Sequence, residues 1–64
     1  MRIILPDRRC QELQVSAAKV EDVLRDLGVN SVEVAVSKNG KVVPQLELVG
    51  QDDEIRIIRI DHGG

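Results

Sequence analysis

The residues of this chain that are best suited to chemistry lie at its carboxyl end, where the sequence reads Asp61-His62-Gly63-Gly64. Two successive glycines are rare by chance, because glycine makes up only about 7% of average protein sequence. A backbone without side chains passes through a narrow slot that excludes larger residues. Four extended residues reach about 13 to 14 Å. We therefore expect this tail to carry a terminal carboxylate into a deep site of a partner protein.

Two other groups of residues have reactive side chains. Cys10 follows Arg8 and Arg9, and neighbouring positive charge favours the nucleophilic thiolate form of a cysteine. A single turn cysteine with no histidine or second cysteine nearby in sequence is also an ordinary small residue. The acidic residues 52–54 could act as a carboxylate pair in acid and base catalysis, but acidic residues are also common turn formers. Neither group defines a catalytic site from the sequence alone.

The composition argues against nucleic acid and membrane as partners. The chain has 64 residues, none of them aromatic, and a formal net charge of −2, whereas proteins that bind single-stranded nucleic acid use aromatic stacking in a basic groove. Its longest apolar runs span three residues, while a membrane helix needs about 20. The absence of a leader segment predicts a cytoplasmic location.

Metal, disulfide and enzyme chemistry are not expected either. One cysteine cannot form an intramolecular disulfide, and one cysteine with one histidine falls short of the four ligands of a zinc site. No nucleophile, base and orienting group converge in the sequence, and one small domain has little room for a substrate pocket. We expect a protein that is not an enzyme and binds no cofactor of its own.

The hydrophobic pattern predicts a β-hairpin followed by a helix. Apolar residues alternate over residues 1–5 until Pro6, which lacks a donor for strand pairing, and a second short strand is expected over residues 12–15. Ser16 is a suitable N-cap for the helix, and Gly28 is a suitable C′ residue. The apolar stripe of this helix, at the spacing i, i+3, i+4 and i+7, is Val20, Val23, Leu24 and Leu27.

The second half of the chain predicts three more strands. Residues 32–37 alternate in polarity, Asn39-Gly40 favours a tight hairpin turn, and Lys41–Val43 returns as a short strand. A polar turn over residues 50–53 precedes the last strand, residues 54–60. The order β-β-α-β-β-β predicts an α+β fold, with a mixed sheet of four to five strands and one amphipathic helix packed on one face.

A single helix leaves the other face of the sheet uncovered. On the last strand, alternation puts Ile55 and Ile57 in the core. The same alternation leaves Ile58 and Ile60 on the open face, beside Ile4 of the first strand. Contiguous exposed apolar area marks interaction sites, so these three isoleucines predict a docking patch. A strand twist that tucks one isoleucine under the sheet edge is the alternative.

Several motifs together point to one family. They are the Asn-containing hairpin followed by Val43-Pro44, the acidic turn at Asp52-Asp53 and the terminal Gly63-Gly64. With its length and element order, the whole chain resembles the ubiquitin-like sulfur carriers of the ThiS and MoaD type, small β-grasp proteins of thiamine and molybdopterin synthesis with archaeal relatives. The resemblance implies a β-grasp domain over residues 1–60 and a C-terminal tail over residues 61–64.

The resemblance implies a carrier that serves partner enzymes. An E1-like adenylating enzyme of the ThiF or MoeB type would use ATP and Mg²⁺ to join the Gly64 carboxylate to AMP. A sulfur donor such as a persulfide-bearing enzyme would then form a thiocarboxylate, and an acceptor synthase would receive the sulfur in thiamine, molybdopterin or tRNA thiolation pathways. Gly63 and His62 would thread the tail into the partner's site. The docking residues that the resemblance suggests are Ile4, Arg56, Ile58, Arg59 and Ile60.

Two further functions stay open. The same activation would serve a protein modifier that joins Gly64 to a target lysine through an isopeptide bond. A β-grasp interaction module would not use the terminal glycines at all. A role for His62 as an acid or base near the acyl adenylate also stays open.

Overall fold

The computed structural model describes residues 1–60 of the chain. Within this range the chain forms seven short strands and one α-helix. In chain order the elements are β1 Arg2–Ile4, β2 Cys10–Glu12, β3 Ala17–Lys19, α1 Val20–Asp26, β4 Val34–Lys38, β5 Lys41–Val43, β6 Leu48–Gly50 and β7 Glu54–Arg59.

The opening hairpin turns earlier than predicted. Arg8 adopts a φ of 72°, and its N–H donates to the Leu5 carbonyl at 2.9 Å. This tight turn pairs Ile4 with Cys10, so β2 begins at Cys10 and the predicted strand at residues 12–15 is displaced. The prediction was wrong because alternation along one strand does not reveal where the turn places its partner.

Helix α1 begins at Val20, so the prediction of Ser16 as its N-cap is wrong. The residues between them form β3, which pairs with the distant strand β6. Lys19 occupies the N-cap position and makes no side-chain cap. The N–H of Val20 donates instead to the Glu47 carbonyl at 3.0 Å. A segment remote in sequence thus caps the helix, which no local pattern indicates.

The end of α1 follows the prediction. Gly28 has a φ of 74°, and its N–H donates to the Arg25 carbonyl at 3.0 Å. The N–H of Val29 donates to the Leu24 carbonyl at 2.9 Å. These two bonds form a Schellman motif with Gly28 at C′, so the predicted helix end is confirmed.

Strand β4 begins later than predicted. Ser31–Glu33 forms a short 3-10 turn, in which the Asn30 Oδ1 accepts from the N–H of Val32 at 3.1 Å. Val32 is 77% exposed, so the alternating valines overstated the length of the strand. The hairpin from β4 to β5 turns at Asn39-Gly40 with φ values of 52° and 88°, as predicted.

Five of the seven strands form one mixed sheet in the order β2-β1-β7-β4-β5. β1 runs parallel to β7, and the other neighbouring pairs are antiparallel. β3 and β6 form a separate two-stranded sheet. With α1 packed on one face, this topology is the β-grasp fold. The five predicted strands correspond to the five strands of the large sheet, and β3 and β6 are additional strands.

The core lies between α1 and the large sheet. Ile55 and Ile57 are buried, as predicted, whereas Leu27 is only partly buried and packs against the core from outside. The buried apolar residues are Met1, Ile3, Val20, Val23, Leu24, Val34, Val36, Val49, Ile55 and Ile57.

Candidate docking face

The side of the large sheet opposite α1, here called the outer face, carries residues predicted for docking. Paired residues of neighbouring strands project from the same face of a sheet, so the register aligns side chains in rows. From β2 to β5, the middle row consists of Cys10, Ile4, Arg56, Ser37 and Val42. Ile4 and Arg56 are therefore direct neighbours on the outer face.

The row nearer the start of β7 is charged. Arg2 lies between Glu12 and Glu54, and its Nη2 donates to the Cys10 Sγ at 3.7 Å. This hydrogen bond is the largest of the effects that raise the pKa of Arg2 above its usual value, and the charges of Cys10 and Glu54 come after it. Arg2 is surrounded by its own counter-charges, which makes this end of the outer face a self-contained polar cluster.

The row nearer the end of β7 is apolar. Ile58 pairs with Ala35 and is 42% exposed. Ile60 is 41% exposed, and its N–H donates to the Glu33 carbonyl at 2.8 Å. Both isoleucines stay exposed, so a twist that buries one of them does not occur. The outer face therefore changes from charged to apolar toward the point where the described chain ends.

A shallow groove, here called the arginine groove, joins the outer face to the loop between β1 and β2. Its principal lining residues are Ile4, Pro6, Arg8, Arg56, Ile58 and Arg59. Four of the five predicted docking residues are among them, so the fold brings these four together. The fifth, Ile60, follows Arg59 at the end of β7.

Arg59 lies at the rim of this groove, because its side chain leaves the sheet on the side opposite to that of Ile58. It is three residues after Arg56 on β7, and an odd step along a strand turns a side chain to the opposite side of the sheet. There it also lines a second cleft with Leu27 and Val29, next to the end of α1. The structure thus places Arg59 between two clefts.

Arg8 lines the arginine groove, although its sequence neighbourhood predicted an ordinary polar turn. Its neighbour Arg9 is paired with Asp7 at 3.0 Å. The conformation of Arg8 explains why the pattern missed it. A positive φ is uncommon outside glycine, asparagine and aspartate, and a sequence does not display it in an arginine.

Asp53, the middle residue of the acidic segment 52–54, takes part in the fold. Asp53 Oδ1 accepts from the Asn39 Nδ2 at 2.9 Å, and Asp53 Oδ2 accepts from the Gly50 N–H at 2.7 Å. These bonds lower the pKa of Asp53 below its usual value, and the bond from Asn39 has the larger effect. A carboxylate held ionised by its turn is a poor proton donor, which favours the turn interpretation over catalysis.

Cys10 is exposed, and its hydrogen-bond partner is Arg2 on the neighbouring strand, not the adjacent arginines of its own loop. Across residues 1–60, no three His, Cys, Asp or Glu side chains lie close enough to hold a metal ion. In the same part of the chain, no helix has the length and apolar character needed to cross a membrane.

The residues predicted for attachment and threading are Gly64, Gly63 and His62, which lie outside the described residues. Their roles stay predictions. The described chain ends at Ile60, next to Arg59 and the apolar end of the outer face.

These features define a ubiquitin-like β-grasp protein. The structure is similar to the crystal structure of thiamine biosynthesis protein ThiS from Geobacter metallireducens, with a TM-score of 0.71, 20% sequence identity and 100% of both chains covered. The model of the family described as small archaeal modifier protein 2 matches residues 3–60, and the chain belongs to that family. The predicted family and fold are confirmed. No match was found among curated proteins.

Proposed function

We propose that this chain is a sulfur carrier whose Gly64 carboxylate is adenylated by an E1-like enzyme and converted to a thiocarboxylate. The observation that carries the proposal is the position of Ile60. It lies at the apolar end of the outer face and directly precedes Asp61-His62-Gly63-Gly64. A partner that docks on this end of the face meets the start of the tail. Membership of a modifier family and the ThiS-like fold support the same proposal.

Activation precedes sulfur transfer, because a carboxylate spreads its charge over two oxygens and offers no good leaving group. In the first step, a Gly64 carboxylate oxygen attacks the α-phosphorus of ATP, and pyrophosphate leaves with Mg²⁺ neutralising its charge. In the second step, the terminal sulfur of a persulfide attacks the acyl carbon, and AMP leaves. A thiol then attacks the donor's sulfur in the resulting acyl disulfide, forms a new disulfide with the donor, and leaves the thiocarboxylate on Gly64. The chain supplies the acyl group, while ATP and Mg²⁺ belong to the partner.

The outer face is the proposed docking surface for the E1-like enzyme. Ile58 and Ile60 are exposed and adjacent to the tail, and Ile4 extends the apolar area into the arginine groove. Their burial against a partner supplies affinity. Arg56 lies beside Ile4 and Arg59 lies at the edge of the groove, and their charges govern orientation and the rate of encounter more than affinity.

A protein modifier is the second candidate, because the description of the family names a modifier. Both functions use the same acyl adenylate and differ only in the nucleophile that displaces AMP. A persulfide sulfur yields a carrier, and the amine of a target lysine yields an isopeptide bond. The acceptor synthase belongs to the carrier proposal alone, and we propose a cytoplasmic location for either function.

The intact mass of the chain tests the proposal after incubation with an E1-like enzyme, ATP, Mg²⁺ and a persulfide donor. We expect one oxygen to be replaced by sulfur, and fragmentation to locate the change at Gly64. An adenylate without sulfur, together with branched conjugates, would favour the modifier. An unchanged mass with an active enzyme would leave only an interaction module.

Two variants separate the formation of the thiocarboxylate from the folding of the domain. Gly64→Val is expected to abolish the mass change, because its side chain blocks a narrow partner site, while the melting temperature stays that of the parent. Leu46→Ala is the control, since Leu46 is exposed and lies outside the arginine groove. This control is expected to show the same mass change as the parent.

A further inference from the structure

Three arginines of the arginine groove, Arg8, Arg56 and Arg59, form no ion pair within residues 1–60. The cations that do form ion pairs in this range are the Met1 amino group, Arg9, Arg25 and Lys38. The whole chain has 11 acidic and 9 basic side chains, so an overall excess of positive charge does not explain the groove. Its positive character is local.

The conformation of Arg8 points in the same direction. Its φ of 72° lies in the left-handed region, which glycine adopts far more easily than arginine. The turn alone would therefore be better served by glycine. Backbone strain of this kind clusters at functional sites, and here the strained residue is an arginine that lines the groove.

The three arginines start from well-separated positions on the backbone. Arg56 and Arg59 are three residues apart, about 10 Å along β7, and their side chains leave opposite sides of the strand. Arg8 lies across the groove, on the loop between β1 and β2. This arrangement does not suit one phosphate or carboxylate. It suits several carboxylates distributed along a peptide.

We propose that the arginine groove binds an acidic peptide segment of a partner protein. Apolar side chains of the segment lie against Ile4 and Ile58, and its carboxylates pair with the three arginines. The inference rests on the proposed docking role of the outer face and adds Arg8 and the chemistry of the occupant. Nucleic acid is the poorer fit, because the chain has no aromatic residue for stacking and a net charge of −2.

The test is a nuclear magnetic resonance titration of the full chain with a short synthetic peptide in which glutamate alternates with leucine. A peptide with glutamine in place of each glutamate is the matched control. We expect amide shifts to change around the groove, and binding to weaken as salt is added. The glutamine peptide is expected to bind about tenfold more weakly, because charge pairing with the arginines is lost.

Two variants on one loop separate binding from folding. Arg8→Gly removes the guanidinium and relieves the positive φ, so the melting temperature is expected to stay the same or rise. Its affinity for the acidic peptide is expected to fall about fivefold or more. Arg9→Ala is the control, because Arg9 is paired with Asp7, and its affinity is expected to match that of the parent.

Several results would overturn the inference. They are equal binding of the two peptides, unchanged affinity in Arg8→Gly, shifts confined to another surface, or stronger binding of a single-stranded oligonucleotide. The inference would also be overturned if the acidic peptide bound the Asp61→Asn variant and not the parent, because the tail of the chain would then be the occupant of the groove. If Gly64 is converted to the thiocarboxylate while the acidic peptide does not bind, this inference fails and the proposed function stands. Peptide binding without charging would overturn only the proposed function.

Discussion

Asn39 and Asp53 are joined by a hydrogen bond of 2.9 Å between Nδ2 and Oδ1, which ties the β4–β5 hairpin to the turn before β7. Asn39 Oδ1 also accepts from the N–H of Glu54 at 2.9 Å. β7 is the central strand of the large sheet, between β1 and β4. This junction therefore holds the start of the strand whose far end carries the proposed docking residues.

The first prediction concerns the pH dependence of this junction. Because the pKa of Asp53 is lowered in the folded protein, its ionised form stabilises the fold above the ordinary value of 3.8, and this contribution is lost as the pH falls through the folded value. Asp53→Asn is expected to lower the free energy of unfolding at neutral pH by about 1 kcal/mol. The difference from the parent should shrink in acid. Thermal unfolding followed by far-ultraviolet circular dichroism measures both, and a difference independent of pH would contradict the prediction.

The second prediction concerns the core face of α1. Leu24 is 1% exposed, and Leu24→Ala is expected to lower the free energy of unfolding by about 2 to 5 kcal/mol, since the truncation leaves a cavity. Leu46→Ala is the matched control, because Leu46 is 64% exposed. The control is expected to change stability by less than about 0.5 kcal/mol. Urea denaturation compares them, and similar losses in both would show that Leu24 is not a core residue.

The third prediction concerns the end of α1. A Cβ at Gly28 would meet nothing within 4 Å, so a substitution there is costly only through its φ of 74°. Gly28→Ala is expected to lower the free energy of unfolding by about 1 to 2 kcal/mol. Gly28→Asn should lower it less, because asparagine tolerates the left-handed region. Equal losses in chemical denaturation would argue against a conformational origin.

The fourth prediction concerns the proposed docking face. Ile58→Asp puts a charge into the apolar end of the outer face, and is expected to reduce kcat/KM for adenylation about tenfold or more while the fold is retained. Leu46→Asp adds the same charge at another exposed leucine and should leave the rate within about twofold of the parent. Pyrophosphate release measures the rate. Equal rates in the two variants would move the docking site away from Ile58.

The patterns that predicted correctly are those whose cause is local. Ile57 and Ile58 are adjacent, and alternation alone put the first in the core and the second on the open face. Gly28 and Asn39-Gly40 were recognised because only a few residue types adopt a positive φ readily. The grouping of Ile4 with Arg56 and Ile58 is the exception, because it depends on the non-local pairing of β1 with β7.

The predictions that failed were overturned either by a contact between distant parts of the chain or by a turn that the local pattern does not display. Ser16 looked like an N-cap, but β3 pairs with β6 and the Glu47 carbonyl caps α1. Val32 looked like a strand residue, but the Asn30 side chain starts a 3-10 turn there. At Ser16 a local N-cap preference of about 1 kcal/mol was overridden by tertiary hydrogen bonding, whereas at Val32 a hydrogen bond to the Asn30 side chain, two residues away, outweighed the strand preference.

The sequence by itself determined the family, the order of the main strands and helix, and the choice of core and outer residues. The element order and the choice of core and outer residues follow from periodicity and from backbone preferences that each residue carries with it, whereas the family follows from the resemblance of its motifs. Only the tertiary structure decided the register of the first hairpin, the β3–β6 pair and the membership of Arg8 in the arginine groove. The reason is physical: Arg8 reaches the groove through a turn whose φ arginine does not favour, and β3 and β6 are distant in sequence and meet only when the chain folds.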